Sequence, residues 1–286
     1  MTNHPAAART ILITGCSSGI GLHAAQRLAT RGYRVFATAR RAEDVERLAG
    51  LGLESLALDV ADSASIRDSV EEVLSRTGGR LDALFNNAGY GQPGAVEDVP
   101  RTVLREQFET NLFGTHELTC AVLPAMRRQG HGRIVHNSSV LGLIALRFRG
   151  AYTASKFALE GLTDALRHEL AGSGIHVSLI EPGPITSRFR ENAYAAFRRN
   201  IDAETSPFRE TYAAMERRLT KKGPAAPFTL GPEAVFEKLV HALESPRPRA
   251  RYYVTFPTHL FAALRRVLPQ RILDALLRRV SRSENR

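Results

Sequence analysis

Cysteine is almost missing from this chain. Its 286 residues include two, Cys16 and Cys120, far apart and without metal-ligand spacing, which excludes a disulfide framework and leaves no expected metal site. A reducing, cytoplasmic setting is therefore expected. Long uncharged runs are also lacking: "IVHNSSVLGLIAL" and "YYVTFPTHLFAAL" are too short to span a bilayer, and the opening "MTNHPAAART" has no apolar signal core. There are no internal repeats, low-complexity tracts or Pro/Ser linkers, so nothing divides the chain into separate domains. Acidic residues run short only in the last third. Residues 186–286 carry 20 Lys and Arg against 10 Asp and Glu, leaving 19 of each upstream, so the whole formal charge of +10 sits there. With no basic run beyond short pairs and no basic and aromatic interleaving, nucleic acid is not the expected partner. Solvated helix faces, a phosphate-bearing ligand or an anionic membrane surface suit that charge better.

What is present is a hydrophobic content of 43%, enough for one large core or two modest ones, and a regular alternation of elements. In "RTILITGCSSGIGLHAAQRLATRGYRVFATARR" an apolar run meets a glycine-rich turn, then a helical pattern, then a second apolar run at Val35 to Ala37. The pattern predicts a helix at Ala42–Ala49, a strand at Ser55–Leu58, a helix at Ser63–Arg76 and a strand at Ala83–Phe85. A long helix follows near Arg101–Arg128, then a strand at Gly132–Asn137, a helix carrying Tyr152, and the strand "HVSLIEPG". Such alternation predicts a single doubly wound α/β domain on a parallel sheet. Residues 9–186 read as a dinucleotide-binding and catalytic core, 187–230 as a substrate-covering insertion of short helices and loop, and 231–286 as a C-terminal helix and basic amphipathic extension. Pro232 begins one helix of that last part and Pro269 parts the two closing ones.

Four features suggest chemistry. "TGCSSGIG" sets Gly15, Gly19 and Gly21 where a strand feeds a helix, so backbone and helix N-terminus can meet a pyrophosphate. The next strand ends in Arg40 and Arg41 where an NAD-binding chain would place a carboxylate; a guanidinium favours the 2′-phosphate of NADP, with Arg40 the first choice and Arg41 the alternative. An exposed arginine pair at a helix start is the plain alternative. Asp59 suits either an adenine amino group or a helix cap. Finally, "AYTASKFALEGLTDALRHEL" opens with Thr153 and Ser155, suited to a helix start, and puts Tyr152 and Lys156 one turn apart on one face. The ammonium is expected to stabilise a phenolate and lower the tyrosine pKa, giving a proton donor and acceptor.

These motifs in this order, "TGCSSGIG", "NNAG", "NSSVLG", "YTASK" and "EPGPIT", resemble those of the short-chain dehydrogenase/reductase family over about residues 9–190. Within it, "LITGCSSGIGL", "IVHNSSVLGLIA", "VSLIEPGPI" and "FTLGPEAV" resemble bacterial NADP-dependent aldehyde reductases and, more loosely, retinol and 17β-hydroxysteroid dehydrogenases. The resemblance implies that Tyr152 is the general acid, that Lys156 tunes it and holds the nicotinamide ribose, and that Ser139 orients the substrate oxygen. Asn111 would position a water behind Lys156 in a proton relay. The plain alternatives are ordinary strand-end hydroxyls at Ser138 or Ser139 and an amide seated in a helix kink at Asn111. NADP(H) would be held by Gly15, Ser17, Ser18, Gly19, Ile20, Gly21, Arg40 or Arg41, Asp59, Val60, Asn87, Ala88, Gly89, Tyr152, Lys156, Pro182, Gly183, Ile185 and Thr186.

By the same resemblance the substrate lies among Ser139, Leu141, Leu143, Ile144, Leu146 and Tyr90, with Phe189, Tyr194 and Phe197 from the insertion. That implies an apolar pocket for lipophilic aldehydes or ketones; Arg147 and Arg149 flank the approach to Tyr152 and are expected to face solvent, an anionic substrate being the alternative if either points inward. The closing helices carry Arg265, Arg266, Arg271, Arg278 and Arg279 beside Leu260, Phe261, Leu264, Ile272, Leu276 and Val280. Packing against the catalytic domain or a sister subunit is the favoured expectation for them, and lying on an anionic membrane the alternative. The resemblance also implies a dimer or tetramer built through the helices at Arg101–Arg128 and Thr153–Ala171, and since the extended tail would block one such interface, a homodimer is the expectation. Oxidation of a retinol or hydroxysteroid, a non-catalytic NADP(H) sensor and a lipid-surface adaptor are the competing readings.

Overall fold

In the computed structural model residues 8–224 and 226–284 are described; the opening residues 1–7, where a signal core is not expected, and the last two of the tail lie outside them. Strand β1 (Thr10–Ile13) leads through the glycine-rich turn to α1 (Gly19–Thr30), followed by β2 (Arg34–Ala39), α2 (Ala42–Gly50), β3 (Glu54–Ala57), α3 (Ser63–Arg76) and β4 (Ala83–Asn86). Then come α4 (Arg101–Phe108), a π-helical turn at Glu109–Phe113, α5 (Gly114–Gln129), β5 (Gly132–Asn137), α6 (Gly150–Glu169) and β6 (Ile175–Glu181). The chain closes with α7 (Phe189–Asn200), α8 (Arg209–Thr220), α9 (Glu233–Glu244), β7 (Arg251–Tyr253), α10 (Phe256–Val267) and α11 (Gln270–Glu284).

All seven strands are parallel, in the order β3-β2-β1-β4-β5-β6-β7. Helices cover both faces, so alternate residues of one strand enter opposite cores. Ile11 and Ile13 pack with Leu28, Val235 and Leu239 on the α1 and α9 side, whereas Leu12 joins Val70, Leu118 and Val122 on the α3 and α5 side. The order reverses between β1 and β4, which opens a crevice at their carboxyl ends, where sheets of this kind bind ligands.

Four features depart from the sequence expectations. The long helix near Arg101–Arg128 is interrupted by the π turn, which a hydrophobic period over so few residues does not disclose. Strand β7 was not foreseen, because three residues carry too little pattern to register. Thr153 and Ser155 do not start α6; the helix begins at Gly150, and the Ser155 hydroxyl donates back to the Tyr152 carbonyl at 2.8 Å. Lastly, the insertion holds two full helices, α7 and α8, around a core of their own formed by Phe197, Ile201, Tyr212, Met215 and Leu219. Phe197 is thus part of that core and not a pocket wall, and Tyr194 packs beside it. Phe148 joins this cluster in the left-handed region, φ 61°, its ring held edge-on by Phe208 and Tyr212.

Tyr212 ties α8 to the segment after β4. Its hydroxyl donates to Asp98 Oδ2 and accepts from the Ala95 amide at 2.9 Å. Tyr212→Phe removes both bonds and leaves the Ala95 amide without its partner; we expect a stability loss of about 1–3 kcal/mol, read by denaturant unfolding. Gly114 marks another close approach: a Cβ there would sit 1.7 Å from the Val60 carbonyl oxygen. Gly114→Ala is expected to cost about 3 kcal/mol and to lower Tm by roughly 6–12 °C in a thermal melt.

Candidate active site

The glycine-rich turn fits a dinucleotide by its local geometry. Gly15 and Gly19 adopt φ of 71° and 57°, and a Cβ on them would meet Ala88 Cα at 2.8 Å and Ser187 Cβ at 2.9 Å. A Cβ on Gly21 would fall 2.3 Å from the Gly15 carbonyl oxygen, so α1 packs directly on the turn. Ser18 stands at the helix N-cap but its hydroxyl caps nothing, which leaves the first-turn amides of Gly19 and Ile20 for an anion. Ser17 and Ser18 are half-buried beside them. Arg40 and Arg41 follow β2, both exposed, with Arg41 at the N-cap of α2. Sequence reasoning missed Arg47, whose guanidinium reaches from α2 to the Ser17 carbonyl at 2.5 Å and to Asp44 at 2.7 Å. Its place on the face of α2 that turns toward the loop was the available signal.

Several expected cofactor residues also hold the protein together. Asn87 donates to the carbonyls of Thr14 and Gly15 at 2.9 and 3.2 Å and accepts from Asn137 at 3.0 Å, while the amides of Asn87 and Ala88 both donate to the Thr14 hydroxyl at 2.9 Å. Asp59 caps its own turn, accepting from the Ala61 amide, and Val60 is buried under Gly114. Pro182 accepts from the Val140 amide at 2.8 Å, Gly183 is pressed on Thr255, and Ile185 and exposed Thr186 bridge to Leu230. At the end of this segment Ser187 packs on the glycine turn, its Cβ 2.9 Å from where a Cβ on Gly19 would fall.

At the end of β5, Ser139 caps a short 3-10 turn, its hydroxyl accepting from the Leu141 amide at 3.1 Å and hydrogen-bonding with the Tyr152 phenol. Burial pushes Tyr152 up to about 12, against that Ser139 bond and the charge of Arg149. Lys156 lies over the Tyr152 ring, 5.7 Å from its centroid, and its ammonium donates to the Asn137 carbonyl at 2.7 Å. Burial draws it down to about 8, with Glu160 pulling the other way. The expected lowering of the phenol by Lys156 is not found in the protein alone: the ammonium faces the Asn137 carbonyl and the ring, burial raises the phenol, and the opposing influences are Ser139 and Arg149. Asn111 sits in the π turn and spends its amide on neighbours. Its Oδ1 accepts from the Tyr90 amide at 3.1 Å and its Nδ2 donates to the Tyr90 carbonyl at 2.9 Å and to Ser155 at 3.1 Å. Gly89 lies between, since a Cβ there would be 3.1 Å from Asn111 Oδ1 and 4.0 Å from Lys156 Nζ.

Of the expected substrate residues, Phe189 stacks edge-on against Tyr152 at 5.4 Å, and Gly91 leaves it room, a Cβ there falling 2.8 Å from Phe189 Cζ. Leu141 and Ile144 share a buried cluster with Tyr152, Leu273 and Leu277, with Leu146 packed against it. Leu143 faces the tail, its carbonyl accepting from Arg265. Arg147 is exposed, as expected, and lies over the Phe148 ring; Arg149 is only partly exposed and its charge acts on Tyr152. Burial raises the thiol of Cys16 to about 12, which makes it an unreactive core residue. Among the described residues no cluster could hold a metal ion and no helix is long and apolar enough to cross a membrane.

The family model described as short chain dehydrogenase matches residues 9–196. The chain is 44% identical to the uncharacterized oxidoreductase YbbO of Escherichia coli K12 over 94% of either protein. It is 39% identical to human 17-beta-hydroxysteroid dehydrogenase type 1 over 87% of this chain and 78% of that enzyme. A short-chain dehydrogenase from Streptomyces avermitilis superposes with a TM-score of 0.76 at 32% identity, covering 95% of this chain and 94% of the other. With its seven-stranded parallel sheet, glycine-rich turn and Ser139–Tyr152–Lys156 cluster, the chain belongs to the short chain dehydrogenase family of NAD(P)-binding oxidoreductases.

Proposed function

We propose that this protein reduces lipophilic aldehydes or ketones with NADPH. The observation that carries the reading is the buried Ser139–Tyr152 pair beside Lys156, bordered by Leu141, Ile144 and Phe189, with two exposed arginines at the end of β2. When bound, NADPH supplies the hydride. The chain's own residues handle the oxygen and the proton. Ser139 Oγ hydrogen-bonds the carbonyl oxygen and orients it, and Tyr152 Oη donates its proton to that oxygen as negative charge develops there. The pKa near 12 keeps the phenol protonated at neutral pH, which suits a donor. Lys156, charged below about 8, holds the ribose hydroxyls and stabilises the phenolate left behind. Asn111 fixes the Tyr90 backbone at the crevice floor. Gly15, Ser18, Gly19 and Ile20 hold the pyrophosphate, and Arg40, with Arg41 as alternative, the 2′-phosphate. NADPH consumption over a panel of apolar aldehydes and ketones tests this; absence of turnover on all of them, and on alcohols with NADP in reverse, would sink it.

Similarity to a 17-beta-hydroxysteroid dehydrogenase favours one second reading, oxidation of a hydroxysteroid by the same residues, and kinetics in both directions separate the two. A homodimer is supported by the exposed Leu104 and Phe113 beside α4 and α5 and Leu162 on α6. Burial of Leu273 and Leu277 in the Tyr152 cluster supports a tail that packs on the catalytic domain over one that lies on a membrane.

A further inference from the structure

Three consecutive residues leave β5, and each meets the same face of α6. The Asn137 carbonyl accepts from Lys156 at 2.7 Å, the Ser138 hydroxyl donates to Glu160 Oε1, and Ser139 hydrogen-bonds with Tyr152. Tyr152, Lys156 and Glu160 recur every four residues, so a single helical stripe grips the whole strand exit. Glu160 is only 6% exposed. A Cβ on Gly142 would lie 2.8 Å from Ser138 Oγ and 2.9 Å from Glu160 Cγ, so the turn that follows Ser139 is pressed onto this pair.

Glu160 is held in turn from the far edge of the sheet. Its Oε2 accepts from Arg251, the first residue of β7, and the same guanidinium donates to Glu181 Oε1 and Asp164 Oδ2, each at 2.6 Å. A buried carboxylate is costly unless it stays paired, and one arginine cannot neutralise three. The fully buried Glu181 yields: burial first, then Glu160, pushes it up to about 8, and its Oε2 has no partner. The neutral form of Glu181 is thereby favoured, and Arg251 pairs with Glu160 and Asp164, the latter also paired with Arg167. The charged Glu160 opposes the desolvation of Lys156. Besides Glu160, the titratable groups facing Lys156 among the described residues are the Tyr152 ring and His136 of β5, which burial holds neutral with a pKa of about 3.

We infer that Glu160, clamped by Arg251, is a positioning residue of this active site: it fixes the Ser138–Ser139 turn against Tyr152 and sets its carboxylate one helical turn from Lys156. The inference rests on the reaction proposed above for its catalytic readout, but not for its binding readout.

Glu160→Gln keeps the volume and an acceptor for Ser138 while removing the charge. Carbonyl-dependent NADPH consumption and NADPH binding, followed by fluorescence, are measured from about pH 6 to 10 alongside the melting temperature. We expect kcat to fall at least about tenfold with the carbonyl KM within about twofold, the signature of an interaction made in the transition state. The pH at which rate and binding decline should move down by about half a unit or more, because an ammonium without its anion loses its proton sooner. Ser138→Ala should lower kcat without moving that pH, and the double variant should lose less than the product of the two. A wild-type pH profile in folded Glu160→Gln, or independent effects of the two substitutions, overturns the inference. If Glu160→Gln fails to fold, Glu160→Asp keeps the charge but withdraws it by one methylene; lowered kcat with an unchanged pH profile is expected, and unchanged kcat overturns the inference. Wild-type protein that binds NADPH but turns over no carbonyl defeats the proposed reaction, while the pH dependence of binding still judges Glu160.

Discussion

Tyr152→Phe is expected to lower carbonyl-dependent NADPH consumption by at least about a thousandfold while leaving NADPH affinity and Tm near those of the wild type. The substitution removes one oxygen from a side chain whose ring is otherwise fixed by apolar neighbours: Phe189 lies edge-on at 5.4 Å, and Leu141, Ile144, Leu273 and Leu277 complete the cluster. Phenylalanine fills the same space. Lys156 bonds to the Asn137 carbonyl and not to the phenol, so its placement survives the change. What is lost is the proton that must reach the substrate oxygen: Ser139 is a far weaker acid, and the Lys156 ammonium is committed to the Asn137 carbonyl. Steady-state absorbance assays, with fluorescence binding as the control, decide the matter. A residual rate within tenfold of wild type would mean that Tyr152 is not the proton donor.

Much of the site was legible because its chemistry is local in sequence. Glycines at 15, 19 and 21 lie within one turn of a strand end, and Tyr152 and Lys156 lie one helical turn apart, so spacing alone brings them together. The sheet was legible too, because strands buried on both faces read as continuous apolar runs. What escaped was set by long-range packing. Glu160 sits on the same stripe as the catalytic pair, but its importance depends on Arg251, 91 residues away on an edge strand three residues long. The π turn at Asn111 is a hydrogen-bonding irregularity that hydrophobic periodicity does not record. Phe197 misled for a related reason: an aromatic in an insertion over the site fits a pocket wall or the insertion's own core, and only the partners Tyr212 and Met215, well downstream, decide between them. The pKa of Tyr152 shows the same limit. Spacing supplies the ammonium, whereas the burial that raises the phenol comes from α7 and the tail helices.

The second large effect is expected at the end of β2. Replacing both arginines, Arg40→Ala with Arg41→Ala, should raise the KM for NADPH by about a hundredfold or more and leave that for NADH nearly unchanged, since charge-assisted bonds to a phosphate contribute about 1.5–3 kcal/mol each. The two positions are not equivalent. Arg41 stands at the N-cap of α2, where its backbone is committed to the helix start, whereas Arg40 is the exposed residue directly at the end of β2. Arg40→Ala alone should therefore account for most of the loss. Arg47 is bound to Ser17 and Asp44 and braces the turn, so Arg47→Ala should weaken NADPH and NADH alike. That contrast makes the test specific. If the Arg40 and Arg41 substitutions weakened both cofactors equally, the arginines would serve the loop and not the 2′-phosphate, and the preference for NADPH would lose its physical basis.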